Sequence, residues 1–115
     1  MRPFDIQVHH LDGSALVELE GEIDIVAADE LREALRSLAF RYDADQVTID
    51  CGRLSFIDLS AIGQLIALSN RLAGGRPTLS GVPAFLDRVL HLTGLIDHFT
   101  LELDAAHADG ESVTA

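Results

Sequence analysis

The sequence predicts a single α/β domain in which a mixed four- to five-stranded β-sheet carries amphipathic helices mainly on one face. The chain of 115 residues is one domain long, and its 48% hydrophobic residues are enough to bury one core. Two segments with a hydrophobic period of two come first, and helical segments then alternate with short strands. The strands alternate apolar and polar side chains, whereas strands covered on both faces are nearly continuously apolar. One sheet face is therefore expected to stay open to water or to a partner.

The first two strands are predicted to form a hairpin, because residues 4–9 and 15–20 both alternate and Asp12-Gly13 lies between them. Helical spacing of apolar residues then runs over 27–41, and Asp24 lies where its side chain would cap the first turn. A third strand follows at 46–51. Residues 52–57 are predicted to form a connection.

The second helix is predicted over residues 58–73, ended by Gly74-Gly75 in the left-handed conformation. A strand at 78–82, a third helix from Pro83 to Gly94 and a last strand at 99–103 complete the order. The apolar stripe of the third helix is predicted to comprise Phe85, Leu86, Val89, Leu90 and Leu92. We expect the domain to cover residues 1–108 and residues 109–115 to form a weakly ordered tail, because no apolar spacing there creates a face to bury.

The charge balance limits the classes of partner that the protein is expected to bind. Eight Lys and Arg stand against 19 Asp and Glu, so the formal charge is −11. This argues against binding to nucleic acid or to an anionic membrane, and no apolar run is long enough for membrane insertion. The single cysteine, Cys51, excludes an intramolecular disulfide. A cytoplasmic protein is the simplest interpretation, and the sequence leaves a homodimer open.

The sequence contains little that points to catalysis. It has no glycine-rich phosphate loop and no nucleophile elbow, and Cys51 falls on the apolar side of a predicted core strand. The five histidines do not have the spacing of a metal site. We therefore expect no enzyme activity, no metal and no cofactor.

One segment, residues 54–65, places an acid and a hydroxyl where a strand leads into a helix. Asp58 and Ser60 are residues that a helix N-cap requires, so capping is one interpretation. The other is that an exposed helix start with a hydroxyl binds or receives a phosphate, because the helix dipole favours negative charge there.

Three separated blocks carry a resemblance to a known family. Residues 21–35 contain Gly-Glu-Ile-Asp and Ala-x-x-Leu-Arg-x-x-Leu, residues 50–63 read Asp-Cys-Gly-x-Leu-x-Phe-Ile-Asp-x-Ser-x-Ile-Gly, and residues 88–95 read Arg-Val-Leu-x-Leu-Thr-Gly-Leu. In this order and spacing, over residues 4–103, they resemble a STAS domain. The closest resemblance is to the stand-alone anti-sigma factor antagonists of bacteria, whose central motif is usually Phe-x-Asp-Ser-Ser/Thr-Gly-Leu-Gly.

The resemblance implies a non-catalytic protein that sequesters an anti-sigma factor, usually a serine kinase, and so regulates transcription indirectly. In the family, the kinase ends binding by phosphorylating the residue after the motif's Asp. Here that residue is Leu59, which has no hydroxyl. Ser60, the next hydroxyl residue, is then the remaining candidate for phosphorylation. Alternatively, the protein is not regulated by this route, or it binds a partner that does not phosphorylate it. We favour these two alternatives over modification of Ser60, because one residue along a helix turns a side chain by about 100°.

The residues expected to contact the partner are Glu22 and Asp24 before the first helix, and Asp58, Leu59, Ser60 and Gln64 at the start of the second. Leu59 either adds apolar area to this docking surface or folds inward against the helix start. Two other functions stay open. One is an accessory STAS subunit of an ABC-type membrane transport complex. The other is a small enzyme using Asp58 and Ser60, which lacks an accompanying base.

Overall fold

The computed structural model describes residues 3–103. The predicted tail at 109–115 and the last residues of the predicted domain, 104–108, lie outside the described residues. The sheet has five strands in the order β1-β2-β3-β4-β5. Only β1 runs antiparallel to its neighbour, and the other neighbouring strands are parallel. The strands are β1 (Phe4–Leu11), β2 (Ser14–Ile23), β3 (Val47–Ile57), β4 (Thr78–Val82) and β5 (Thr100–Leu103).

Helices connect the parallel strands. The described chain contains α1 (Ile25–Leu35), α2 (Leu38–Arg41), α3 (Leu59–Arg71) and α4 (Ala84–Thr93), with short 3₁₀ turns at Ala44–Gln46 and Leu95–His98. Each parallel strand is added on the same side of the one before it. Because such crossovers are right-handed, successive connections in one direction put their helices on the same sheet face.

Burial along the strands shows which face the helices cover. Val17, Ile49 and Leu79 are partners on neighbouring strands, and all three are fully buried. The next partners, Glu18 and Asp50, lie on the opposite face and are only half-buried. The predicted fold class is confirmed, with five strands and with helices on one face.

The prediction of one continuous helix over residues 27–41 is wrong. It is interrupted after Leu35, where the N–H of Arg36 bonds to the carbonyl of Glu33 and the ladder tightens into a 3₁₀-type turn. The apolar spacing does not reveal the interruption, because Leu35 and Leu38 are buried on both sides of it.

Residues 52–57 are also predicted wrongly, because they continue β3 and do not form a connection. The pairing of β2 with β3 shifts register twice, between Glu18 and Glu20 and between Gly21 and Glu22. These shifts change the spacing of buried residues in β3 from two to three, so that Leu54 and Ile57 follow Cys51 at intervals of three. A prediction that relies on strict alternation of apolar and polar residues therefore ends β3 too early.

Smaller boundary differences occur at the second and third predicted helices. Helix α3 ends at Arg71 because Leu72 is already extended, and the left-handed Gly74 and Gly75 belong to the turn that follows. Pro83 is the N-cap of α4 and not its first residue. Phe85 and Leu92 do not belong to the buried stripe of α4, since they are 39% and 80% exposed.

Gly21 is required by a close approach between two backbone segments. Its φ is +81°, and a Cβ there would overlap the carbonyl oxygen of Pro3. That oxygen accepts a hydrogen bond from the N–H of Glu22 at 2.9 Å, which ties the start of the chain to the end of β2.

We predict that Gly21→Ala lowers the free energy of unfolding by at least about 2 kcal/mol, because it adds left-handed strain to a backbone overlap. Urea denaturation followed by circular dichroism measures this. Gly63→Ala is the matched control: Gly63 lies in α3, and an added Cβ would meet no atom within 4 Å apart from its chain neighbours and the backbone of its own helix. It should stabilise the protein by up to about 1 kcal/mol. Equal stability of the two variants would contradict the prediction.

Candidate functional site

Two helices start side by side at the carboxyl ends of β2 and β3. Ile23 and Ile57 are partners in the parallel ladder, and the N–H of Asp58 donates to the carbonyl of Ile23 at 2.9 Å. The residues that follow these strand ends, Asp24 and Asp58, each begin a helix. The strand ladder therefore brings the first turns of α1 and α3 to the same edge of the sheet.

Both aspartates are N-caps. One oxygen of Asp24 accepts hydrogen bonds from the N–H groups of Val26 and Ala27, each at 3.0 Å. The corresponding oxygen of Asp58 accepts the N–H of Ser60 at 2.8 Å and its hydroxyl at 3.0 Å. The capping interpretation of Asp58 is correct, and Ser60 is a donor to the cap and not a cap itself.

Leu59 is the first residue of α3 and is 63% exposed. The alternative in which it folds inward against the helix start is therefore wrong. Ser60 is half-buried, and Gln64, one turn further along α3, is also half-buried. Glu22 is exposed near the end of β2, where it pairs in register with Phe56 of β3.

Three exposed apolar residues at this edge were not among the residues predicted from the sequence. Ile25 and Val26 form the first turn of α1 and are 68% and 75% exposed, and Phe56 is 46% exposed near the end of β3. We call Ile25, Val26, Phe56 and Leu59 the helix-start patch. A signal was present in the sequence, since Ile25 and Val26 follow the cap directly but precede the periodic stripe that begins at Ala27.

The surroundings of the helix-start patch are acidic. Segments 21–31 and 54–64, which supply both strand ends and both helix starts, contain five carboxylates and no Lys, Arg or His. Two arginines border these segments: Arg32 lies 3.5 Å from Asp29, and Arg53 lies 4.0 Å from Glu20. The five carboxylates are Glu22, Asp24, Asp29, Glu30 and Asp58. The site thus combines exposed apolar side chains with negative charge.

Among the described residues, this edge holds neither an activated nucleophile nor a group of metal-binding side chains. Burial, with a smaller contribution from the charge of Asp50, raises the pKa of the Cys51 thiol to about 12, so the thiolate is scarce at neutral pH. Among residues 3–103, no three His, Cys, Asp or Glu side chains are grouped to hold a metal ion. The helices described there are also too short or too polar to span a bilayer.

Comparisons with known proteins agree with this architecture. The model of the STAS domain family matches residues 5–108. An anti-sigma factor antagonist from Mycobacterium paratuberculosis has a TM-score of 0.73 at 24% identity, covering 94% of this chain and 92% of that chain. The Bacillus cell fate determinant SpoIIAA, in its phosphorylated form, has a TM-score of 0.68 at 21% identity, covering 91% of this chain and 97% of that one.

A similar fold also occurs inside a larger protein. The murine anion transporter Slc26a9 matches 90% of this chain but only 18% of its own length, with a TM-score of 0.59 and 15% identity. At these identities, the structural likenesses show a shared fold.

We predict that Asp58→Ala lowers the free energy of unfolding by about 1 kcal/mol, because two donors of the first turn of α3 lose their acceptor. Thermal or urea unfolding measures the loss. Asp58→Asn should retain most of the stability, since an amide oxygen can still cap. If Asp58→Asn were as destabilising as Asp58→Ala, the charge of Asp58 and not its capping bonds would be the stabilising feature.

Proposed function

The chain belongs to the STAS domain family, and we propose that it is an anti-sigma factor antagonist. In this role it sequesters an anti-sigma factor of the serine-kinase type in the cytoplasm and so regulates transcription indirectly. It acts by binding and not by catalysis. The proposed domain covers residues 1–108. The observation that carries the proposal is the exposed Leu59 between the capping Asp58 and Ser60, at the position of the family's central motif.

The proposed contact surface follows from the geometry of this edge. Leu59 offers apolar area worth about 1.5 kcal/mol or more if a partner buries it fully. Glu22 projects from the adjacent strand end and makes no ion pair with a described residue. Asp24, Asp58, Ser60 and Gln64 complete the proposed contacts. Because the capping acids are already fixed by backbone bonds, they present negative charge to a partner without further ordering.

We also propose that phosphorylation does not regulate this surface. Leu59 cannot accept a phosphate. The hydroxyl of Ser60 donates to Asp58 at 3.0 Å, so a phosphate on Ser60 would remove that donor. It would also bring a charge of about −2 next to a carboxylate. Modification at Ser60 would therefore weaken the cap that organises the helix start.

The alternative function is that of an accessory subunit of a transport complex. The binding experiment must distinguish it from an anti-sigma factor antagonist. The likeness to Slc26a9 supports the fold alone. Co-purification with an ATP-binding cassette subunit, and no binding to any anti-sigma factor, would favour that alternative.

We predict that Leu59→Asp weakens binding to the cognate anti-sigma factor by at least about tenfold, because a charge would replace buried apolar area. Each purified kinase-type anti-sigma factor of the host is titrated with the chain by isothermal titration calorimetry. The fold should persist in this variant, since an acid is favourable in the first turn of a helix.

Leu92→Asp is the matched control, because Leu92 is equally apolar and 80% exposed but lies near the end of α4. It should bind like the wild type. Undiminished binding by Leu59→Asp would refute the proposed contact surface, and absence of binding to every anti-sigma factor would refute the proposed function.

We predict that the wild-type chain gains no phosphate during incubation with ATP and its cognate kinase-type anti-sigma factor. Intact-mass and peptide mass spectrometry measure this. Leu59→Ser is the positive control, because it restores a hydroxyl after the motif's Asp. A phosphopeptide containing Ser60 in the wild type would overturn the proposal that this surface is unregulated by phosphorylation.

A further inference from the structure

Strand β1 is an edge of the sheet without the usual protection against pairing. In the part of the chain that the structure describes, β1 pairs with β2 alone, through eight consecutive residue pairs without a register shift. Edge strands are commonly protected by proline, lysine, a bulge or short length. Residues 4–11 contain neither proline nor lysine, and β1 has eight residues whereas β5 at the other edge has four. β1 is therefore open to pairing with another strand.

The hairpin geometry determines which backbone groups of β1 face away from β2. Leu11 and Ser14 flank a two-residue turn, so they exchange both backbone hydrogen bonds. Such pairs alternate along an antiparallel ladder, so the odd positions from 5 to 11 bond to β2. Ile6, Val8 and His10 direct their N–H and C=O groups to the edge instead. The backbone of these three residues makes no hydrogen bond to a described residue outside the sheet.

A second copy of this chain matches this row of donors and acceptors. A two-fold axis perpendicular to the sheet runs the two β1 strands antiparallel and keeps the helices of both copies on one side. With Gln7 on the axis, Ile6 lies opposite Val8 of the copy, and each such pair exchanges two backbone hydrogen bonds. Ile6 and Val8 are half-buried and pack against the core on the helix-covered face. The pairing covers the parts of these side chains that are still exposed.

The open face favours the same register. With Gln7 on the axis, Asp5 lies opposite His9 of the copy, at a closely spaced non-hydrogen-bonded position. Nε2 of His9 contacts Oε1 of Glu18 at 2.5 Å, whereas its Nδ1 bonds to no described residue. Oδ2 of Asp5 accepts the side-chain amide of Gln7 at 2.7 Å, and its Oδ1 bonds to no described residue. A shift of two residues would place Asp5 opposite Gln7 or Leu11 and lose this contact.

We propose that a second copy of this chain adds its β1 to the β1 edge and forms a symmetric dimer with one continuous sheet, centred on Gln7. This inference goes beyond the proposed function and does not depend on it. The formal charge of −11 opposes the approach of two copies. Salt screens this long-range repulsion and leaves the backbone hydrogen bonds in place, so dimerisation is measured at about 300 mM NaCl.

A cysteine on the two-fold axis tests the register. Gln7→Cys should form an intermolecular disulfide in a glutathione redox buffer, because Cβ atoms at directly opposite positions are about 4.5–5.5 Å apart. Asp5→Cys is the matched control, since its two thiols would be separated by four residues, about 13 Å along the strands. The native Cys51 is buried. Intact-mass spectrometry measures the product, and no disulfide in Gln7→Cys or equal crosslinking of both variants would overturn the inference.

A proline tests the backbone pairing. Val8→Pro removes an N–H that β2 does not use, so it should leave the hairpin paired but weaken dimerisation by about tenfold or more. Val8→Thr keeps the N–H and the branched Cβ, and should dimerise within about threefold of the wild type. Sedimentation equilibrium of the full chain over about 10–500 µM measures the affinity. Unfolding curves check both variants, and undiminished dimerisation of a folded Val8→Pro would contradict the inference.

A lysine on the axis decides the question even if Val8→Pro does not fold. Gln7→Lys makes the chain less negative, so general charge repulsion alone predicts stronger self-association. The proposed dimer instead places the two lysines opposite each other and should weaken by about threefold or more. Thr100→Lys changes the charge equally at the exposed β5 edge and should not weaken dimerisation. A wild type that stays monomeric at about 500 µM, or a dimer weakened by Thr100→Lys and not by Gln7→Lys, would overturn the inference.

Discussion

The parallel pairing of β2 with β3 up to their last residues is the constraint on which the site depends. Ile23 and Ile57 lie opposite each other, and the Asp58 N–H to Ile23 carbonyl bond closes the ladder at 2.9 Å. A strand advances about 3.3 Å per residue and its side chains alternate between faces. A β3 that was one residue longer would therefore move the start of α3 away from α1. Only this register places the two capping acids and the helix-start patch at the same edge of the sheet.

The one-way order of the strands determines which face of the sheet stays uncovered. All the crossovers add strands in one direction, so the helices share one face and bury the apolar side of the sheet. The uncovered face presents charged groups such as Glu18, which lies 2.5 Å from His9, and Asp50, which accepts the N–H of Gly52. Exposed apolar side chains occur at the helix starts, at Ile25, Val26 and Leu59, and also elsewhere, at Leu11, Phe40 and Leu92.

The sequence predicted most elements of the fold because most of them follow a simple hydrophobic period. It failed where local geometry departs from that period. The register shifts beside Gly21 extend β3 to Ile57 without strict alternation, and the tight turn at Arg36 interrupts a helix between two buried leucines. For the site, Asp24 and Asp58 were predicted as cap residues from their type and position. Ile25 and Val26 were missed, because exposure depends on which neighbouring element covers a residue.

The position of Leu59 connects the charge of the chain to its proposed regulation. At the first position of α3, a side chain without a hydroxyl leaves the bonds of Asp58 intact, since these go to Ser60. Under the proposed function, the capping acids stay available to a partner, while the leucine adds apolar contact area. A switch that works by adding negative charge needs an acceptor at this point, and a phosphate on Ser60 would remove the hydrogen bond that its hydroxyl donates to Asp58. Under the proposed function, the same residue that strengthens binding also removes the means of ending it by phosphorylation, so release must depend on the amount of partner or on its conformation.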